Sequence, residues 1–277
     1  MTSAYAECLE QRFAEGMPTG TSMHAYPFIQ QTLERRTVRR YTKQMPDDTF
    51  LDLLTAAALS ASSKSDFQQA SIIRVTDAAI RRAIGNLFPA MPWIGASPAF
   101  FVFLGDARRL QRMGTLRGKP VDNGQLEGFF NATVDAALAL QTFILCAESA
   151  GLGCCPISVI RNRIDEVAEL LDLPEQVFPV AGVCVGYPSE AGHVSLRLPR
   201  ALTVHHNRYT DHDLSPHIDQ YDQRRHARNA LNPAQQRLTA IYGVAEFYGW
   251  SEDKTRQATE GEGAAFPRYL RAHGFSF

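Results

Sequence analysis

Residues 127–150 read EGFFNATVDAALALQTFILCAESA, the longest helical pattern in the chain, apolar on nearly every face and ending at the Gly151 of a Gly-Leu-Gly. Such a segment has almost no solvent face of its own, so the fold that forms has to cover it. A membrane span needs about 20 mainly apolar residues in a row, and here Asn131, Asp135, Gln141 and Glu148 interrupt the run at intervals. The pattern therefore predicts a helix buried in the middle of a globular or dimeric core, not a membrane helix, with Gly151 as its C-cap. A chain of 277 residues is long enough for one large domain or two modest ones.

The neighbouring patterns say what covers it. DDTFLDLLTAAALSA, 47–61, predicts a helix capped by Asp47 or Asp48, with Phe50, Leu51, Leu54 and Ala58 at helical spacing. SIIRVTD, 71–77, predicts a strand, and Asp77 caps a short helix in AAIRRAIGNL. AFFVFLGD, 99–106, is a continuous apolar run and predicts an interior strand. RNRIDEVAELLDLP gives an amphipathic helix with Asp165 near its start, and VFPVAGVCVGYP, 177–188, a valine-rich strand. The order helix, strand, helix, strand, helix, helix, strand predicts an α+β sheet flanked by helices. Residues 1–25 read as an N-terminal extension. Beyond residue 200 the polar, His-rich HHNRYTDHDLSPHIDQYDQRRHARN reads as a tail with little core of its own.

Several function classes fall away. A net charge of −1 provides no global field for a polyanion, so nucleic acid is not an expected partner and any basic function is local. The N-terminal segment carries Glu7, Glu10 and Glu15 and no apolar h-region, which predicts neither a secretory signal nor a transit peptide and makes the cytoplasm the expected location. Five cysteines, Cys8, Cys146, Cys154, Cys155 and Cys184, are an odd number without Cys-x-x-Cys spacing; they predict small buried hydrophobes, with no disulfide framework and no metal site. No P-loop occurs, and Gly151-Leu152-Gly153 follows a helix instead of a strand, so a Rossmann reading fails on context.

ERRTVRRYTKQMP, 34–46, concentrates four arginines and a lysine. Three readings are open for it: a solvated helix end, a nucleic-acid patch, or a clamp for something small and anionic. In a helical turn Arg35 and Arg39 would share one face, and two guanidiniums beside the Thr37 hydroxyl offer forked donors to phosphate oxygens. LSASSKSDFQQ, 59–69, gathers hydroxyls and amides directly after a helix, either to bond a flat ring or as a plain loop.

ERRTVRRYT, ASSKSDFQQASIIRVTD, ESAGLGCCPISVIRNRIDEVAELLDLPEQVFPVAGVCVGYP and LRLPRALTVHHNRY, in that order, resemble the flavin-dependent nitroreductase family, closest to its NADPH-dependent oxygen-insensitive nitroreductase and flavin reductase branch. The resemblance spans residues 28–212. It implies an α+β nitroreductase-like fold: a central, mainly antiparallel sheet flanked by helices, a long buried central helix, and an intertwined homodimer. Residues 26–200 would form the FMN-binding core and 201–277 a helical extension wrapping the core or the partner subunit.

It also implies a site. FMN would lie non-covalently at the dimer interface, with Arg35, Arg36, Thr37 and Arg39 at its phosphate and ribityl chain and Arg197 as a further phosphate contact. Ser62 and Ser63 match the family's serine loop, with Gln68 at its end. Pro156, Ile157, Ser158 and Val159 match the segment beneath the isoalloxazine, and Met91 stands where relatives place a glutamine near the flavin. No side chain need act as acid or base, so no catalytic residue is assigned. The implied activity is that of an FMN-dependent NAD(P)H oxidoreductase, working by ping-pong hydride transfer from NADPH or NADH to nitroaromatics, quinones or free flavin.

Two departures from the family pattern carry expectations of their own. Ile157-Ser158-Val159 replaces a common Ile-Gly-Gly, which predicts an altered backbone approach because valine lacks glycine's conformational freedom. The arginine pair that grips the 2′-phosphate of NADPH in relatives is replaced by AEFYGWSED. Both point to an alternative, a specialised FMN-dependent dehydrogenase or oxidase acting on a biosynthetic or catabolic small molecule without NADPH.

Overall fold

The acidic residues expected to start helices do so. Asp47 accepts a hydrogen bond from the Phe50 amide, and Asp77 accepts from Ala79 and Ile80, so each carboxylate satisfies backbone N–H groups that the first helical turn leaves without partners. In this computed structural model, which describes residues 4–16, 24 and 26–277, the helices in chain order are α1 (Ala4–Phe13), α2 (Pro27–Glu34), α3 (Asp48–Leu59), α4 (Ala78–Asn86), α5 (Trp93–Ala96), α6 (Arg108–Leu116), α7 (Leu126–Ser149), α8 (Ile164–Leu170), α9 (Arg200–Thr203), α10 (Leu214–Arg228), α11 (Thr239–Tyr242), α12 (Trp250–Ala258) and α13 (Phe266–Ala272). The strands are β1 (Ala70–Arg74), β2 (Ala99–Asp106), β3 (Gly153–Ile157) and β4 (Val177–Gly186).

Two units divide the chain: Arg36–His193 with Gly263–Phe277, and the segment ending at Arg35 with Val194–Glu262. The larger unit holds the sheet, whose order is β1-β2-β4-β3 with every pair antiparallel. All eight residues of β2 are buried, as a strand enclosed on both faces requires. Alternation sends Phe101 and Phe103 to one face and Phe100, Val102 and Leu104 to the other. On the first face α3 and α7 pack, with the Phe143 ring 4.9 Å and 5.5 Å from those of Phe101 and Phe103. Apolar residues of α4 and α5 and of the turn at Val159–Arg163 close the second face.

The helix that most constrained the fold, α7, is buried on one side by Ala132, Asp135, Ala139, Phe143 and Ala147. Its other side is open in the single chain: Leu126, Phe130, Val134 and Leu138 are 57%, 59%, 37% and 42% exposed. By length and composition α7 could cross a membrane, but its packing against the sheet makes it a core helix with one uncovered apolar stripe. Gly151 ends it at φ +82, with Leu152 N–H donating to Ala147 O at 3.0 Å and Gly151 N–H to Glu148 O at 3.1 Å, the paired bonds of a left-handed cap.

The structure departs from the sequence-based elements in places. Strand β3 was not expected, because its residues follow a helix stop; pairing with β4 makes it a strand. The helix expected across 161–174 begins as a 3-10 turn at Val159–Arg163 and is regular only from Ile164. Helices α1 and α6 were not anticipated.

The smaller unit is the α1–α2 pair with α9–α12. Tyr5, Cys8, Leu196, Tyr221 and Tyr248 are buried there, and Asp222 of α10 accepts from the Ser251 amide at 3.0 Å at the start of α12. The terminal α13 belongs to the larger unit, where Tyr269, Leu270 and Phe275 pack with Phe178 and Ile164.

Candidate functional site

The arginine stretch is not helical. Helix α2 stops at Glu34, Arg35 takes φ −53 and ψ 136, and the backbone then runs extended beside the free edge of β3. Val38 N–H donates to Cys154 O at 3.0 Å and Thr42 N–H to Tyr187 O at 2.9 Å. Val38 is buried against Gly153, where an added Cβ would lie 2.6 Å from the valine Cβ, so β-branched Val38 and glycine together set the approach. The expectation that Arg35 and Arg39 share a helical face is thus corrected. Val38 is the buried side chain of this segment, whereas Arg39 and Arg40 are exposed.

The arginines then have different fates. Arg36 Nη1 donates to Ala191 O at 3.3 Å, and Arg40 pairs with Glu190 at 3.2 Å on the surface. Arg39 has no ion-pair partner among the described residues; its guanidinium carbon lies 5.6 Å from the centre of the Trp93 ring. Trp93, Met91 and Val159 all pack against the apolar cluster on the second face of the sheet, and the Trp93 indole N–H is buried with no hydrogen-bond partner among the described residues. Tyr41 anchors the same region, its hydroxyl 2.6 Å from Val38 O and 3.1 Å from Cys184 O; burial, foremost, pushes its phenol pKa well up.

At the end of β3, Pro156 and Ser158 are exposed, Ile157 is buried and Val159 half-buried. Ser158 has φ −81 and ψ −24, and neither it nor Val159 takes a positive φ. The path that the backbone takes here does not require glycine at either position.

Ser62, Ser63 and Gln68 lie elsewhere, on the loop that enters β1. Their organiser is Asp135 of α7, a residue the sequence showed only as an interruption. Its carboxylate accepts from Ser63 Oγ at 2.7 Å, Lys64 N–H at 3.0 Å and Gln69 N–H at 2.9 Å. Ser63 Oγ in turn accepts from Gln68 N–H at 2.7 Å, and the loop passes through positive φ at Ser65, Asp66 and Gln68. Ser63 is therefore engaged in holding the loop, whereas Ser62 is exposed beside a groove of about 740 Å³ lined also by Gln68, Arg109 and Asp135. Arg109, likewise missed, fixes the groove's wall by donating to Ser71 Oγ at 2.5 Å and Asp106 Oδ2 at 2.8 Å. The detectable signal for Asp135 was a carboxylate inside an apolar helix, which demands partners.

The residues expected at one site thus fall at the two edges of the sheet. The serine loop leads into edge strand β1, and Thr37, Arg39 and Pro156–Val159 belong to the opposite edge, beside β3. Three strand spacings, about 14 Å, separate those edges.

Arg35 and Arg197 belong to the smaller unit. The Arg35 carbonyl accepts from Arg12 Nη2, and the Arg197 N–H donates to Arg12 O at 2.7 Å. Arg197 lines a cavity of about 580 Å³ with Thr203, Arg225, Tyr221 and Trp250.

With this geometry in hand, comparison with known proteins is decisive. The nitroreductase family model matches residues 32–187, and that of the nitroreductase family C-terminal domain matches 195–277. The chain belongs to the nitroreductase family. It is 36% identical over 183 residues to the oxygen-insensitive NADPH nitroreductase of Salmonella typhimurium, covering 66% of this chain and 75% of that protein. It is 32% identical over 249 residues to the NADPH-flavin oxidoreductase of Vibrio harveyi, covering 90% and 98%. Among solved structures, the Vibrio harveyi NADPH:FMN oxidoreductase complexed with NAD+ superposes with a TM-score of 0.77 at 29% identity, over 90% of this chain and 98% of that one.

In this nitroreductase the arginines closest to the Trp-Ser-Glu stretch are committed elsewhere. Arg256 is buried, bonds the carbonyls of Arg237 and Gly243 at 2.8 Å and 2.9 Å, and pairs with Glu252 at 2.7 Å. Arg237 lies 3.3 Å from Asp253 and 3.5 Å from Glu260.

Proposed function

We propose that this nitroreductase is an FMN-dependent NAD(P)H oxidoreductase that reduces nitroaromatics, quinones or free flavin. Beyond family membership, one observation carries the reading: Arg39, exposed and without a carboxylate partner among the described residues, has its guanidinium over the Trp93 ring. An exposed guanidinium held over an aromatic ring suits a phosphate's oxygens, and flavin mononucleotide carries one. Bound FMN supplies the redox chemistry, taking a hydride from the nicotinamide and passing electrons to the acceptor.

The chain's own residues bind and orient. Arg35, Arg36, Thr37, Arg39 and Arg197 are assigned to the phosphate and ribityl chain, where forked guanidinium donors suit phosphate oxygens. Pro156, Ile157, Ser158, Val159 and Met91 are assigned to the ring, with Ser62, Ser63 and Gln68 as the serine-loop contribution. Positive charge and N–H donors placed there favour the electron-rich reduced ring. Residues 26–200 would carry the FMN-binding core and 201–277 the C-terminal extension, and the enzyme would work in the cytoplasm.

The same reading includes a homodimer. The stripe Leu126, Phe130, Val134 and Leu138 is the kind of contiguous apolar surface that marks an interface. The serine loop and the arginine segment occupy opposite edges of one sheet, and a two-fold related copy offers its loop to the other's arginines.

Purified protein is expected to be yellow and to bleach rapidly when mixed anaerobically with NADPH or NADH, then to recover colour with a nitroaromatic, a quinone or free FMN. Colourless protein that takes up no added FMN would sink the proposal. A flavin that stays oxidised with both nicotinamides would instead mark a dehydrogenase acting on its own substrate, the reading that the replaced arginine pair favours.

A further inference from the structure

Residues 4–16 precede both family-matched stretches, and the proposed reaction assigns them nothing. In the smaller unit α1 packs against α2, and its last turn carries Arg12, only 6% exposed. One guanidinium there serves three carbonyl oxygens. Nε donates to Leu33 O at 2.8 Å, Nη1 to Ser195 O at 2.9 Å, and Nη2 to Arg35 O. The Arg12 carbonyl completes the link by accepting from Arg197 N–H at 2.7 Å. A single residue therefore joins the backbone of Arg35 to the backbone at 195–197, two segments far apart in the chain.

The strut is itself fastened along its length. Glu15 accepts from Arg200 N–H at 2.7 Å and pairs with its Nε at 2.5 Å. Arg228 pairs with Glu10 at 2.5 Å and donates to the carbonyls of Glu10 and Gln11 at 2.9 Å and 3.0 Å. The Arg200 guanidinium lies 5.9 Å from the centre of the Phe13 ring.

We propose that Arg12 is a positioning residue for the cofactor phosphate: it presets the main chain from which Arg35 and Arg197 project, and α1 exists in this chain to carry it. The inference rests on the FMN reading above. Two guanidiniums grip one phosphate well only if their backbones hold their places before binding, and a buried three-carbonyl contact is a rigid way to hold them.

The test uses full-length Arg12→Ala and Arg12→Lys proteins, stripped of flavin, with circular dichroism to verify folding. FMN and riboflavin are titrated in parallel by fluorescence, riboflavin having the ring and ribityl chain without the phosphate. Arg12→Ala is expected to weaken FMN by at least about tenfold while riboflavin stays within about twofold of wild type. Arg12→Lys should fall between, since one ammonium cannot reach three carbonyls; if the alanine variant does not fold, the lysine variant decides, a selective loss of FMN supporting the proposal. Unchanged FMN affinity in a folded variant overturns it, as does an equal loss for both ligands, which would mark general loosening. Wild-type protein that binds no FMN defeats the reading of the site instead, a different result from either.

Discussion

Asp135 shows how much one side chain can organise. Its oxygens receive Ser63, Lys64 and Gln69, so Asp135→Ala strands two backbone N–H groups as well as the serine hydroxyl. The expected cost is about 2–4 kcal/mol of unfolding free energy, read from urea denaturation, with Asp135→Asn losing less because one acceptor oxygen survives. Cys184 and Tyr269 give a second residue-scale prediction. Burial holds the Cys184 thiol and the Tyr269 phenol up at about 12, against 9.0 and 10.0 ordinarily. Above the ordinary values the unfolded chain loses protons that the folded chain keeps, so rising pH favours unfolding. The contribution of these two groups should be level below about pH 8.5 and decline from there toward pH 11, and Cys184→Ser should flatten part of that slope. A urea midpoint that does not move over that range would contradict the assignment.

At the level of elements, what the sequence makes legible is what local chemistry decides. Asp47 and Asp77 cap the helices they were expected to cap because the bonds involved lie within three residues. The apolar run at 99–106 is a strand because eight buried residues in a row leave no amphipathic alternative. Strand β3 was illegible: Gly151 signals a stop, and only the pairing of Cys155 with Cys184 gives the following residues extended form. The extended arginine segment was illegible for the same reason, since Val38 is fixed by Cys154 and Gly153. Helix α7 sits between these cases. Its apolar character was plain, but which side meets the sheet and which stays open depended on the partner elements. Phe130→Glu tests the open side directly. The side chain is solvent-exposed in one chain, so secondary structure by circular dichroism should be unchanged, whereas sedimentation of the proposed dimer should shift toward monomer. A dimer as tight as wild type would move the interface elsewhere.

For the whole molecule, the question is whether one chain contains a complete site. The arginine segment flanks β3 and the serine loop enters β1, so the sheet itself separates two groups of residues that the reaction would need together. If a two-fold partner supplies the loop, each dimer has two sites and every site draws on both copies. Two variants with opposite defects then complement. Arg35→Ala with Arg39→Ala in one chain removes the clamp, and Ser62→Glu in the other sets a carboxylate on an exposed loop position against an anionic cofactor. Each homodimer should bind little FMN. Mixing equal amounts, dissociating and reassociating gives about half heterodimers, each with one site whose clamp and loop are both intact, so about a quarter of all sites should recover flavin. If instead each site were built within a single chain, every heterodimer would hold one broken clamp and one broken loop, and no flavin would return on mixing. Absorbance of the re-formed protein near the flavin bands separates the two outcomes.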